Sequence, residues 1–356
     1  MKPFLLAVLL AAASVLEGAV FYVNKTADTA DGSCSPTDCS LREAVIAANA
    51  SPGADTIMLP PGKYTIVIAG TDEDDCATGD FDIRGELTIL GDALETTIVD
   101  GGGLDRVFHV VSQVIVRLEW LIIQNGISDA GGAVYVPEPN MNVTLDRCLV
   151  LHNTSNFHGG GLNCGGGVLY IRNTTVTENF ADQGGGLSVS GGCTVVLVFS
   201  TVSNNYAATA SNGGQIRSHA GTTVVLDSSI IDHASREGPA CSISNLVSSG
   251  HNIESPGHSC NLDGAGDMDD VTSSSLALGP LADNGGPTHT HAIGPASIAV
   301  NLGGVGNCPP VDQRGGARDD GFCDIGAYEL GAVPPQLIFR DGFEAGSPSA
   351  WSTVVP

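Results

Sequence analysis

The sequence predicts an all-β chain folded as a right-handed parallel β-helix, a solenoid of roughly 26 residues per coil with a short capping helix at its N-terminal end. Three observations predict it. Paired glycines running into an apolar stretch recur at Gly131 (GGAVYV), Gly159 (GGGLNC), Gly184 (GGGLSV) and Gly213 (GGQIRS), 25 to 29 residues apart. A second set of anchors, Asn125, Asn153, Asn179, Asn205 and His233, repeats at spacings of 28, 26, 26 and 28 residues. Aligned on those anchors, the third residue before each is always β-branched: Ile122, Val150, Val176, Val202 and Ile230.

The same alignment defines the faces of a longer strand. Residues two apart point to one side, so Ile115, Val143, Leu169, Val195 and Thr223, with Arg117, Leu145, Ile171, Leu197 and Val225, read as an inward face. Arg117 breaks the pattern, and a one-residue shift that turns Leu118 inward restores it. Thr144, Tyr170, Val196 and Val224, then Asp146, Arg172, Val198 and Leu226, read as the outer face. The period is too short for a propeller blade, and the helical pattern of a leucine-rich repeat is missing. Glycine supplies backbone angles and close approach at coil corners, and asparagine tolerates left-handed turns. No triplet is followed by the Lys-Ser or Lys-Thr of a phosphate loop.

In chain order, residues 1–19 read as a signal peptide: Lys2 is followed by an apolar stretch from Phe4 to Leu16, of signal-peptide length and too short to span a bilayer. Residues 20–50 give a first strand and a helix, since Ser40 and Glu43 stand in capping-box spacing ahead of Leu41, Ala44, Val45 and Ala48. An open solenoid end invites strand-to-strand association, and this helix is placed to cover it. Residues 51–300 form the β-helix, regular from Val114 to about His233 and looser afterwards. Residues 301–331 read as a closing cap, and 332–356 as linker and tail.

The chain has 14 basic and 39 acidic residues, a net charge of −25. Such a surface repels polyanions, which excludes nucleic acid and disfavours acidic glycans unless cations bridge them. No segment after the signal could cross a membrane. The sequons at Asn24, Asn49, Asn142, Asn153 and Asn173 would matter in a glycosylating host. Ten cysteines in an exported chain point to disulfides. Proximity pairs Cys34 with Cys39, Cys241 with Cys260 and Cys308 with Cys323; it does not pair Cys76, Cys148, Cys164 and Cys193. No C-x-x-C supports a zinc site.

The densest carboxylate cluster is TDEDDCATGDFD, where Asp72, Asp74, Asp75 and Asp80 are the candidate metal ligands and calcium the cofactor they suggest. The competing reading is a solvated acidic loop. No catalytic or cofactor-binding residue is assigned. Lyase chemistry needs a base beside a cation, and Arg147, Arg172 and Arg217 do not share a column. A hydrolase needs two carboxylates across a groove, and Asp146, Glu178, Asp227 and Asp232 are scattered. His251 reads as a turn residue, and His289 with His291 as part of a loop.

Several of these stretches carry a family likeness. CSLREAVIAAN, DTIMLPPGKYTI and ATGDFDI resemble the exported bacterial proteins named for a Cys-Ser-Leu-Arg-Glu-Ala motif, and GPLADNGGPTHTHA with DQRGGARDDGFCDIGAYE resembles the choice-of-anchor Q domain. The GGAV repeats are similar to those of chlamydial polymorphic outer-membrane proteins, and IFRDGFEAG resembles a C-terminal motif of exported Gram-negative proteins. The resemblance implies a parallel β-helix at or beyond the outer membrane and no reaction. In GPASIAVN, Asn301 stands where the family has aspartate, so a role for that carboxylate does not carry over. The expected function is a secreted or cell-surface β-helix that binds glycan or a protein partner without catalysis. The alternative is a polysaccharide-degrading lyase or glycoside hydrolase. Exposed aromatics would favour glycan binding, with Tyr170, Tyr135, Trp120 and Phe157 as the candidates.

Overall fold

The computed structural model describes residues 18–71, 73–209, 211–233, 238–319 and 321–336. Residues 1–17, most of the segment read as a signal peptide, and residues 337–356 of the linker and tail lie outside the described residues. The chain is a parallel β-helix. A regular coil contributes one strand to each of four stacks, as in Asn142–Asp146 (first sheet), Leu149–Leu151 (second), Thr154–His158 (fourth) and Leu162–Cys164 (third). Among the described residues these sheets have nine, eight, four and seven strands, and every pairing within them is parallel.

The core is the set of inward side chains, stacked like on like. Val116, Val143, Leu169, Val195 and Val224 align along the first sheet, as do Leu118, Leu145, Ile171, Leu197 and Leu226. Leu118 therefore points inward, as the shifted reading has it. At the other end the reading fails by one residue. Val224 and Leu226 are fully buried in the core, and Thr223 and Val225 face outward, because the coil leading to them is one residue longer than the His233 anchor implies.

The asparagine anchors form a buried ladder at the corner between the second and fourth sheets. Asn153 Nδ2 donates to Asn179 Oδ1 at 3.0 Å, Asn179 Nδ2 to Asn205 Oδ1 at 2.9 Å, and Asn205 Nδ2 to Gln215 Oε1 at 2.8 Å. Each carbonyl oxygen also takes the backbone N–H of the preceding coil, and each amide donates to carbonyls of its own and the preceding coil, as Asn179 does to Thr177 and Val150. The corner thus turns without leaving its donors unpaired. Asn125 is not in the ladder: Gly126 N occupies its place on Asn153 Oδ1 at 2.9 Å, and Asn125 takes the left-handed turn position beside it, φ 56°. A second ladder of hydroxyls, Thr174, Ser200 and Ser229, runs along the corner between the first and second sheets and begins at the Cys148 N–H.

The capping helix α1 (Leu41–Ala50) forms as read, with Ser40 Oγ accepting from Glu43 N and Glu43 Oε2 from Ser40 N. Its Leu41, Ala44, Val45 and Ala48 enter the core beside the first coil. Arg42 is buried and clamps the helix to the acidic loop: it pairs with Asp28 at 2.7 Å and donates to the carbonyls of Cys76, Gly79 and Asp80. The three proximity disulfides are present, and Cys164 pairs with Cys193 across successive coils. Cys76 and Cys148 are free and buried.

The segment read as a closing cap, 301–331, lies elsewhere. With the hairpin Leu278–Ala282/Thr290–Ile293 it runs back along the outer face of the second sheet. Gln313 accepts from Thr175 Oγ1, Ala327 N donates to Thr201 Oγ1, and Gly326 N donates to Ser228 O, which ties the strap to three successive coils. The cause is two-sided burial: Ile122, Leu149, Thr175, Thr201 and Ile230 point away from the core and still need cover. The open C-terminal edge is met instead by the backbone near Met268, which pairs with Ile253–Ser255.

Two stability outcomes follow from these contacts. Asn179→Ala leaves the buried Asn153 N–H unpaired and breaks the ladder, so urea unfolding should show a loss of about 2–4 kcal/mol. The surface change Asn156→Ala should stay within about 0.5 kcal/mol. In the strap, Arg318 donates to Glu329 Oε2 at 2.6 Å with both side chains buried, and Arg318→Ala should cost about 3–5 kcal/mol by stranding that carboxylate.

Candidate functional site

On the face away from the core the third sheet carries a column of side chains in one register, Asp82, His109, Tyr135, Asn163, Ser188, Arg217 and Ser242, of which Asp82, Asn163 and Ser188 are buried. Apart from Arg217, which stands between Ile216 and Ser218, each stands between apolar neighbours, as Tyr135 does between Val134 and Val136, so strand alternation aims it away from the core. At about 4.8 Å per coil the strip extends roughly 29 Å. Four residues before Tyr135, Asn163, Ser188 and Arg217 stand Gly131, Gly159, Gly184 and Gly213, all in the left-handed region at φ 62° to 65°. A Cβ on Gly159 would lie 2.2 Å from Leu162 O, and one on Gly184 would lie 3.1 Å from the Arg217 Cβ. The glycine triplets are therefore corners, and they leave one edge of the strip bare of side chains.

The first end of the strip is acidic. Asp82 is buried and accepts from Cys76 N at 2.9 Å, and its other oxygen lies 3.1 Å from His109 Nδ1. Asp74 lies 3.6 Å from the same nitrogen. The imidazole stacks on Tyr135 with ring centroids 5.3 Å apart, and Arg106 covers the Tyr135 ring at 4.9 Å. Of the four candidate metal ligands, Asp72 lies outside the described residues. Asp75 pairs with Arg84, and Asp80 is buried with Arg106 Nε 2.7 Å away. Only Asp74 of the four reaches the group of possible donors formed with Asp82 and His109, whose ligand atoms lie within 4.8 Å of one another. Two carboxylates and an imidazole suit a transition metal better than calcium, which takes six to eight oxygens. Burial, with the neighbouring carboxylates Asp82 and Asp105, pushes the Asp80 carboxyl up to about 8 despite Arg106.

The far end is basic. Arg217 donates to Asn212 Oδ1, and the rings of His158 and His219 meet edge to face at 6.0 Å. Burial, then the charges of Arg217 and His158, hold the His219 pKa below its ordinary value. Ser188 Oγ, Gln183 Oε1, His158 Nδ1 and Arg217 Nε are buried atoms without a hydrogen-bond partner.

The other sequence candidates serve the architecture. Asp146 is held by Arg147 and Arg172, Asp227 accepts from Asn307, and Asp232 accepts from Ser203 under the strap. Glu178 pairs with His152 at the surface. His291 is buried against Thr177, and His251 sits at φ 59° with Nδ1 2.8 Å from Leu302 O, a turn residue as read. Trp120 is covered by Arg147, Tyr170 lies on the first sheet, and Phe157 stands exposed in the fourth. An apolar hollow of about 420 Å³ between Tyr22, Met58, Pro60, Leu90 and Trp120 has Asp92 on its rim, but that carboxylate already accepts from Leu94 N and Glu95 N. Sequence reading missed the strip although the signal was present: the fourth residue after each corner glycine is the outward one.

No family model matches the chain, and no curated protein matches it. Among solved structures the chain is similar to one described as the crystal structure of pectate lyase Pel9A, at a TM-score of 0.43 and 16% identity, covering 89% of this chain and 97% of that one.

Asp80 makes the stability of the fold depend on pH. Its folded pKa, about 8, lies above the ordinary 3.8, so its contribution to stability is complete below pH 3.8 and is lost as pH rises through 8. Glu329, pushed by burial up to about 7, acts in the same direction. Urea midpoints should therefore fall between about pH 5 and pH 9, and Asp80→Asn should remove part of that fall.

Proposed function

We propose that this is an exported glycan-binding protein that lays a polysaccharide along the outward strip of the third sheet. The observation that carries the reading is the strip itself: one aromatic ring and a file of hydrogen-bonding side chains at coil spacing, edged by glycines. Asn163 and Ser188 carry groups that pair with hydroxyls, beside the Tyr135 ring that His109 stacks on and Arg106 covers. Four disulfides suit an oxidising compartment. Among the described residues no helix is long and apolar enough to cross a membrane.

A second reading, cleavage of the bound glycan, is favoured by one feature. The Asp80 carboxyl, pushed up to about 8 by burial, lies at the same end as the Asp82–His109 pair, and glycosidic bond breaking uses two such groups, one to donate a proton and one to accept it.

Affinity electrophoresis through gels containing single polysaccharides, with reducing ends assayed in parallel, separates the readings. At least one polysaccharide should retard the protein without new reducing ends. Tyr135→Ala should weaken that retention about tenfold, and Tyr170→Ala, on the first sheet, should leave it unchanged. Retention by none of a broad panel would overturn the proposal. New reducing ends that disappear in Asp82→Asn would establish the enzyme.

A further inference from the structure

Almost all the described arginines of this acidic chain lie against a carboxylate. Among the described residues Arg42, Arg84, Arg106, Arg117, Arg147, Arg172, Arg314 and Arg318 each lie in an ion pair with aspartate or glutamate. Arg217 is the exception: its partner is the neutral amide oxygen of Asn212. In a chain of net charge −25, a guanidinium left without a carboxylate on the face of the outward strip calls for a reason.

Its surroundings supply one. Ser188, one coil back in the same column, is 1% exposed, and its hydroxyl has no partner. Arg217 Nε is likewise buried and unpaired, as is His158 Nδ1. The charges that act on His219 are those of Arg217 and His158. A serine hydroxyl, a guanidinium N–H and imidazole nitrogens are all groups that can donate to one anion, and an unmet buried donor is costly unless a ligand meets it. Gly184 packs directly beside this group, since a Cβ there would stand 3.1 Å from the Arg217 Cβ. The long-range field of the chain does not forbid this, because at physiological salt charges are screened beyond about 8 Å. It does limit the ligand to sparse charge.

We infer that Arg217, Ser188, His158 and His219 form a subsite for a sugar carboxylate, so that the glycan bound along the strip carries uronate residues on an otherwise weakly charged chain. The inference rests on the glycan-binding reading and adds the identity of one group. Arg217 fixes orientation as well as charge, because a guanidinium presents a planar fork of donors that matches a carboxylate.

The test uses paired ligands: glucuronoxylan and sparsely uronate-substituted arabinogalactan fragments, each beside the same fragment with its carboxyls reduced to alcohols, titrated calorimetrically into the purified chain. At least one acidic member should bind about tenfold or more tighter than its reduced partner. Arg217→Gln should erase that preference, so that the two members of a pair bind alike, and Arg217→Lys should keep part of it. Equal binding of both members of every pair would overturn the subsite and leave the groove standing. A preference that survives Arg217→Gln in a chain with unchanged circular dichroism would also overturn it. Binding of neither member of any pair would reject the groove itself.

Discussion

Every coil of this protein must turn corners inside a hydrogen-bonded stack, and each turn threatens to strand buried N–H and C=O groups. The asparagine ladder answers that constraint. One side chain pairs with the backbone of the coil before it, with its own strand and with the next asparagine, so the corner stays dry and complete. The hydroxyl ladder from Thr174 to Ser229 does the same at the neighbouring corner with a smaller group. With corners settled, the strands stack in fixed register, and every outward residue takes its place from the alternation of the strand.

That fixed register made much of the fold legible in the sequence and also explains the misreadings. Columns of β-branched residues revealed the coil length because identical positions meet across neighbouring coils. Where a coil is one residue longer, as before Val224, an alignment built on equal spacing puts the core face outside. The capping helix was readable because Ser40 and Glu43 act locally. The strap was not, because its contacts join residues far apart in sequence, such as Thr175 with Gln313, and no local pattern marks a second layer. The outer faces of the second-sheet strands held a clue in Ile122, Leu149 and Ile230, apolar residues on the side away from the core.

The candidate site was legible only in part. The acidic loop drew attention by composition, yet Arg84 and Arg106 divide its carboxylates, and the donor set that does converge includes His109, a residue from the next coil. Arg217 was visible only as one of three coil arginines that share no column, because its meaning depends on which other arginines are paired, and pairing is a property of the folded surface. Coil stacking brings residues about 27 apart to within one strand spacing, so a file of chemically mixed residues becomes a continuous surface. On this account the glycines form the bare edge of that surface and the acidic and basic ends give it polarity.

The most direct measurement is a crystal structure of the chain with a bound uronate-bearing oligosaccharide. The account predicts sugar density running along the third sheet over Tyr135, Asn163 and Ser188, with a carboxylate against Arg217. Density confined to the first-sheet face around Tyr170, or to the hollow beside Tyr22 and Trp120, would contradict it.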